Sequence, residues 1–166
     1  DFSGYCDMAV GISLMLGIRI PINFFSPYKA LSIIDFWRRW NMTLSRFLRD
    51  YLYIPLGGNR RGSLMRWRNL MITMLLGGLW HGAAWTFVVY GLLQATAMLT
   101  HRYFYRRSGR TSETVDPTWL RVLKTVGTLH FVVLSRILFR GSDLHNAGEV
   151  AAQLLQGSLA LVHVPL

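Results

Sequence analysis

From Asn69 to Thr100 the chain runs for 32 residues without an Asp, Glu, Lys or Arg, closed by Arg68 on one side and by His101 and Arg102 on the other. An uncharged run of that length reads as a membrane segment. A single straight helix of this length would span roughly 48 Å, against a hydrocarbon core of about 30 Å. The segment must therefore tilt strongly, break or re-enter. The expected break lies at Gly77-Gly78 or at Gly82. Flanking charge favours a break: residues 54–68 carry four Arg and no acid, and residues 101–124 carry five Arg and one Lys against two acids. Both flanks then belong on the cytoplasmic side. One crossing would separate them, whereas a broken, re-entrant pair keeps them together, provided that protein or a water-filled cavity covers the non-helical backbone.

Composition supports a membrane protein: 52% hydrophobic and 13% aromatic residues, 16% charged, mean hydropathy +0.29. The net charge of +10 invites a nucleic-acid reading. The charges, however, interleave with apolar segments, which fits loops facing anionic lipid, and the expected partner is the bilayer and not nucleic acid. A basic nucleic-acid module would require residues 69–100 to be soluble. The single Cys6 excludes an intrachain disulfide, and His81, His101, His130, His145 and His163 lack the close spacing of a metal-ligand set. No metal and no bound cofactor is expected. The chain opens on Asp1 and stops in the apolar "SLALVHVPL", so it reads as an internal to C-terminal piece of a larger protein.

Residues 31–53, "LSIIDFWRRWNMTLSRFLRDYLY", read as one amphipathic helix, lying in the membrane interface or, as the alternative, packed as an ordinary core helix. Ile33, Trp37, Trp40, Leu44, Phe47 and Tyr51 recur at steps of three and four, with Asp35, Arg39, Arg46 and Arg49 opposite. Ser32 and Asp35 fit a capping box at its start. Asn41 falls on the apolar side, where a buried amide must find a partner or serve a site. The connector "YIPLGGNRRG" (53–62) is turn chemistry with a basic tip; Arg60 and Arg61 serve either as a topological anchor or as a holder of an anionic carrier group. Asp116-Pro117 is expected to cap a second spanning candidate running to about Phe139. Residues 143–156 read as a short surface helix exposing Asn146, Glu149 and Gln153. At the other end, the 11 uncharged residues between Asp7 and Arg19 make a short or partial membrane helix.

"GGLWHGAAW" (77–85) places a titratable ring inside the uncharged run. An intramembrane ionisable residue is functional by default, because it costs stability unless it is paired or used. A neutral imidazole can take a proton from a hydroxyl and so activate an alcohol against an ester or thioester. Gly77, Gly78, Gly82, Ala83 and Ala84 would let a substrate or a neighbouring helix approach closely. The alternative is a ring bonded to a carbonyl for packing, and residue chemistry alone leaves both readings open.

"DFSGYCDMA", "DFWRRWNMTLSRFLRDYLYIPLGGNRRG" and "GGLWHGAAWTFVVYG", in that order and spacing, closely resemble the membrane-bound O-acyltransferase family. The likeness is to its bacterial branch of alginate O-acetylases and related cell-surface polysaccharide acetylases, with teichoic acid D-alanyl transferases as cousins. It is dense over residues 1–105 and looser beyond, where "ILFRGSDLHNAGE" is similar to the family's late Phe-Arg segment. The resemblance implies an all-α, polytopic helical membrane enzyme of the bacterial inner membrane, with residues 1–166 as one partial domain: a motif-dense core, 1–105, and looser helices over 117–166. It also implies transfer of an acyl group, most simply acetyl, to a hydroxyl, with His81 of the Trp-His-Gly motif as base. The donor, acetyl-CoA or an acyl carrier, would enter a tunnel from the cytoplasmic side; the acceptor, an exported polysaccharide, would come from outside, with periplasmic or membrane acetylation partners. The polysaccharide branch carries a second histidine where this chain has Asn41. Asn41 is therefore expected to orient substrate or donate to an oxyanion, since an amide takes no proton at neutral pH. Trp40, Trp80, Arg60 and Arg61 are the candidate substrate- or donor-binding residues. The rival reading is a non-catalytic membrane scaffold of a polysaccharide modification or export complex, indifferent to His81.

Overall fold

The computed structural model describes residues 2–109 and 116–155, all of whose regular elements are helical. Seven α-helices follow in order: α1 Phe2–Met15, α2 Ile33–Arg39, α3 Met42–Leu48, α4 Gly62–Leu79, α5 Trp85–Arg107, α6 Thr118–Arg140 and α7 Leu144–Leu155. A short 3-10 turn, Pro27–Lys29, precedes α2, and a wide π turn, Arg49–Tyr53, extends α3. The terminal "SLALVHVPL" and residues 110–115 of the basic stretch lie outside the described residues.

The long uncharged run is divided between two antiparallel helices. α4 and α5 pack along their length, and the break falls at residues 80–84, on the Gly82 side of the expected range. Gly77 and Gly78 stay helical and serve packing. A Cβ on Gly78 would lie 2.4 Å from the Phe87 carbonyl oxygen, and one on Gly91 would lie 2.6 Å from that of Met74. Hydrogen in place of a side chain at both positions lets the two backbones touch. The hairpin brings Arg66 of α4 beside Arg102 of α5, so the two basic flanks meet at one end as expected. Each arm keeps only part of the uncharged run, Asn69–Leu79 and Trp85–Thr100, roughly 16 and 24 Å of helix. Both fall short of the ~20 apolar residues of a full crossing. Among the described residues the helix long and apolar enough to cross is instead α6, which the sequence ranked second.

The single helix expected over residues 31–53 is two short ones separated at Trp40 and Asn41. Trp40 is extended and Asn41 left-handed, at φ 44° and ψ 57°. Asparagine is among the few residues other than glycine that enter this region readily. The break lets α2 bury Ile33 and Phe36 with Ala30 and Val132, where α2 crosses α5 and α6. α3 then turns towards α4, with Leu48 reaching Gly77. The Ser32 cap forms: its hydroxyl accepts the Asp35 amide at 3.1 Å. The Asp35 carboxylate reaches back to the Leu31 amide, one residue before the usual capping-box partner.

Elsewhere the cap expected of Asp116 is absent; Pro117 itself precedes α6, and Asp116 pairs with Lys124. α7 begins as a capped helix, with Asp143 Oδ1 accepting the Asn146 amide at 2.8 Å, and that bond holds the Asp143 carboxyl below its ordinary range. Glu149 is exposed as expected, whereas Asn146 and Gln153 are half-buried. α1 stops at Gly17, φ 74°, in a Schellman motif: Ile18 donates to Ser13 O and Gly17 to Leu14 O. Apolar side chains on α1 and the outer face of α6, among them Met8, Ile12, Met15, Leu123 and Val133, are exposed. Such surface suits lipid or further protein rather than water.

Neighbouring glycines give a sharp test. Gly78→Ala forces the helices apart and costs about 1–3 kcal/mol, while Gly77→Ala meets only the movable Leu48 side chain at 3.1 Å and is tolerated. Thermal unfolding of the full-length protein in detergent should show a lowered midpoint for the first variant alone.

Candidate functional site

His81 sits in the turn between α4 and α5, its amide donating to Gly78 O at 3.0 Å. The ring's neighbours are aromatic: Trp80 at 4.9 Å and Phe139 at 4.8 Å, both edge-on, and Phe87 at 6.1 Å. The ring is half-buried and lines a cavity of ≈ 510 Å³. The walls of that cavity are α2, α3 and the π turn on one side and the facing sides of α4 and α5 on the other. Gly77, Gly78 and Gly91 leave the space open near His81, with Tyr90 beside them. At the far end stand Tyr53, Asn59 and Arg102. Among the described residues the lining carries Arg38, Arg46, Arg49 and Arg102 and no acid, so its field favours an anionic occupant. Arg49 is partly neutralised by Asp50 at 2.7 Å, a bond that in turn holds the Asp50 carboxyl below its ordinary value.

Two buried amides hold these walls in place. Gln94, 1% exposed, accepts the Trp37 indole N–H at 3.2 Å and donates to Ser135 Oγ at 3.0 Å, tying α2, α5 and α6 together. Asn69 donates to Gly58 O at 3.2 Å and so pins the loop, which turns through the positive φ of Gly57 and Gly58. Asn41 is buried, yet its side chain makes no cap for α3. Asn23 supplies that cap instead: its carbonyl oxygen accepts the Met42 amide at 2.9 Å, and its Oδ1 accepts the Thr43 amide at 3.1 Å and hydroxyl at 2.9 Å. Ser45 Oγ donates towards the Trp37 and Trp40 carbonyls left open by the break.

The expected site residues are therefore dispersed. Trp80 touches His81 and is 62% exposed. Trp40 stacks on Phe36 and lies under the Arg136 guanidinium at 4.5 Å; it does not line the cavity. Arg136 also lies 5.4 Å from the Phe139 ring, so a cation bridges the Trp40 and His81 neighbourhoods. Arg60 and Arg61 are exposed outside the cavity, with Arg61 folded against Gly57. Arg38, Arg46, Arg49 and Arg102 take the lining positions instead. Sequence reasoning missed this set because a straight helix over 31–53 points Arg46 and Arg49 away from the site. It also missed Arg136, read only as a snorkelling cation, and Gln94, whose signal was an amide inside an uncharged run.

The Asn23 cap is testable. Asn23→Ala leaves the Thr43 amide and hydroxyl without their side-chain acceptor and lowers stability by about 0.5–2 kcal/mol, and Asn23→Asp, which keeps the accepting oxygen, recovers most of it; thermal melts of the two variants measure the difference.

Comparison with known proteins adds relatives. The chain is 49% identical over 166 residues to a peptidoglycan O-acetyltransferase of Helicobacter pylori, covering all of this chain and 30% of that protein. It is 46% identical over 147 residues to a "Probable alginate O-acetylase AlgI" of Pseudomonas aeruginosa, covering 89% of this chain and 27% of that protein. It is 32% identical over 154 residues to a teichoic acid D-alanyltransferase of Bacillus subtilis, with 88% and 39% covered. The chain thus spans about a third of the length of these curated relatives. The model of the membrane-bound O-acyltransferase family matches residues 1–138, which include the hairpin, its histidine and the cavity. The chain belongs to the membrane-bound O-acyltransferase family.

Proposed function

We propose that the protein containing this chain is a multi-pass O-acyltransferase of a bacterial inner membrane that passes an acetyl group to a hydroxyl of an exported cell-surface polysaccharide. The observation that carries the reading is the place of His81, at the turn of a helical hairpin and on the wall of a cavity whose described lining holds four arginines and no acid. Relatives named for O-acetyl transfer to peptidoglycan and alginate support the reaction class.

In this reading the His81 imidazole removes the proton of the acceptor hydroxyl as its oxygen attacks the acyl carbonyl carbon. The bond to the donor's leaving atom breaks as the tetrahedral intermediate collapses, and the imidazolium returns its proton to the leaving group. The arginines at the basic end attract the negatively charged part of an acetyl-CoA or acyl-carrier donor and leave the acyl end directed towards the histidine. Asn41 has the role of orienting a substrate or donating to the developing oxyanion, and Trp80, edge-on to His81, shapes the approach. Asparagine and histidine are both enriched in the left-handed backbone region, so the φ of 44° at residue 41 accepts either.

Two outcomes test the assignment. In cells carrying the full-length protein at equal membrane levels, His81→Ala lowers ester-linked acetyl on exported polysaccharide by about two to four orders of magnitude; unchanged acetyl would return His81 to a packing role. The wild-type rate falls as pH is lowered through one ionisation, since only the neutral ring can take the proton. At position 41, Asn41→His retains transfer, whereas Asn41→Val, whose branched Cβ resists a positive φ, loses folded protein; a dead but well-folded Asn41→His variant would count against equivalence with the histidine of the polysaccharide branch.

A further inference from the structure

A second cavity, of ≈ 440 Å³, opens at the basic end of the hairpin, between the first turns of α4 and the last turns of α5. Arg66, Arg102 and Arg106 stand around it, and among the described residues no acid lines it. Three guanidinium groups held together repel one another: Arg66 and Arg106 both act against the charge of Arg102. No described residue of the groove offsets that cost, so an anion that bridges them is the natural compensation. The remaining walls are apolar or aromatic. Leu99 is buried at the bottom, Leu64 is 80% exposed at the edge, and Trp67 and Tyr103 are about half exposed. An indole and a phenol beside arginines, at the end of an uncharged helix pair, is the chemistry of the headgroup level of a bilayer.

We propose that this groove binds the phosphodiester headgroup of an anionic phospholipid. Arg66, Arg102 and Arg106 hold the phosphate, the Ser63 hydroxyl is placed to bond a headgroup oxygen, and an acyl chain lies along Leu99 and Trp67. A soluble phosphate could satisfy the cations but would leave the apolar wall bare, which is why a lipid is the occupant. The inference does not rest on the acyl-transfer reading and stands whether or not the protein acetylates a polysaccharide. Arg102 lines both this groove and the His81 cavity, so the bound headgroup sits against the mouth of that cavity.

The test is lipid retention by the full-length protein in a neutral detergent, counted by native mass spectrometry during titration with phosphatidylglycerol or phosphatidylcholine. Wild type should retain one phosphatidylglycerol with a preference of about tenfold or more over phosphatidylcholine, the scale set by basic residues near an anionic surface. Arg66→Gln/Arg106→Gln should lose that preference, and Arg66→Lys/Arg106→Lys should keep much of it. If the double glutamine variant does not fold, Arg106→Gln alone, at an exposed position, should cut the preference several-fold. Equal retention of the two lipids by wild type, or a preference unchanged in Arg106→Gln, overturns the proposal. So does displacement of the bound lipid by millimolar inorganic phosphate, which would make the groove a site for a soluble anion.

Discussion

The contact between the α4 and α5 backbones at Gly78 and Gly91 is the constraint on which the other features depend. Without side chains at these positions the helices approach until a Cβ would overlap a carbonyl oxygen. That approach turns an uncharged run too long for one upright crossing into a hairpin. It sets the break at residues 80–84, places His81 in the turn, and returns both basic flanks to one end. The same glycines leave room for the cavity beside the histidine. Packing, topology and chemistry thus share one small-residue seam.

Around that seam two buried amides are satisfied in ways that tie separate elements together. Gln94 joins α2 to α6 through Trp37 and Ser135, and Asn69 joins α4 to the Gly58 loop. An unpaired amide at either site would cost about 1–3 kcal/mol, so these bonds select one arrangement of the walls. Asn23 plays the matching part for α3 and leaves the Asn41 side chain free of capping. The cations follow a different logic: among the described residues no acid lines the cavity or the outer groove, so the field in both favours an anion.

Much of this was legible in the residues. Charge counting alone argued for a broken segment with its flanks on one side, and the hairpin has that form. His81 stood out as a ring in an oily run, and the Trp-His-Gly pattern pointed to the family to which the chain belongs. The helix over residues 31–53 was misread because its three-and-four spacing persists through a single left-handed residue: Asn41 turns the chain without disturbing the apolar pattern. For the same reason Arg46 and Arg49 seemed to face away from the site that they line. Arg60 and Arg61, conspicuous in a glycine-rich loop, lie outside it. Arg136 was obscured for another reason, since a cation near the end of an apolar helix reads as snorkelling until Trp40 and Phe139 are seen on either side of it.

The central claim is that one hairpin carries His81 at its turn and both basic ends on a single side of the membrane. Single cysteines at Ser63 and Ser108, placed in a cysteine-free full-length protein and probed with a membrane-impermeant maleimide, address it most directly. The account predicts that both are labelled in inverted vesicles and protected in intact spheroplasts. Labelling of the two positions from opposite sides would contradict it, because residues 69–100 would then cross the membrane once and His81 would lie partway along a span instead of at a turn.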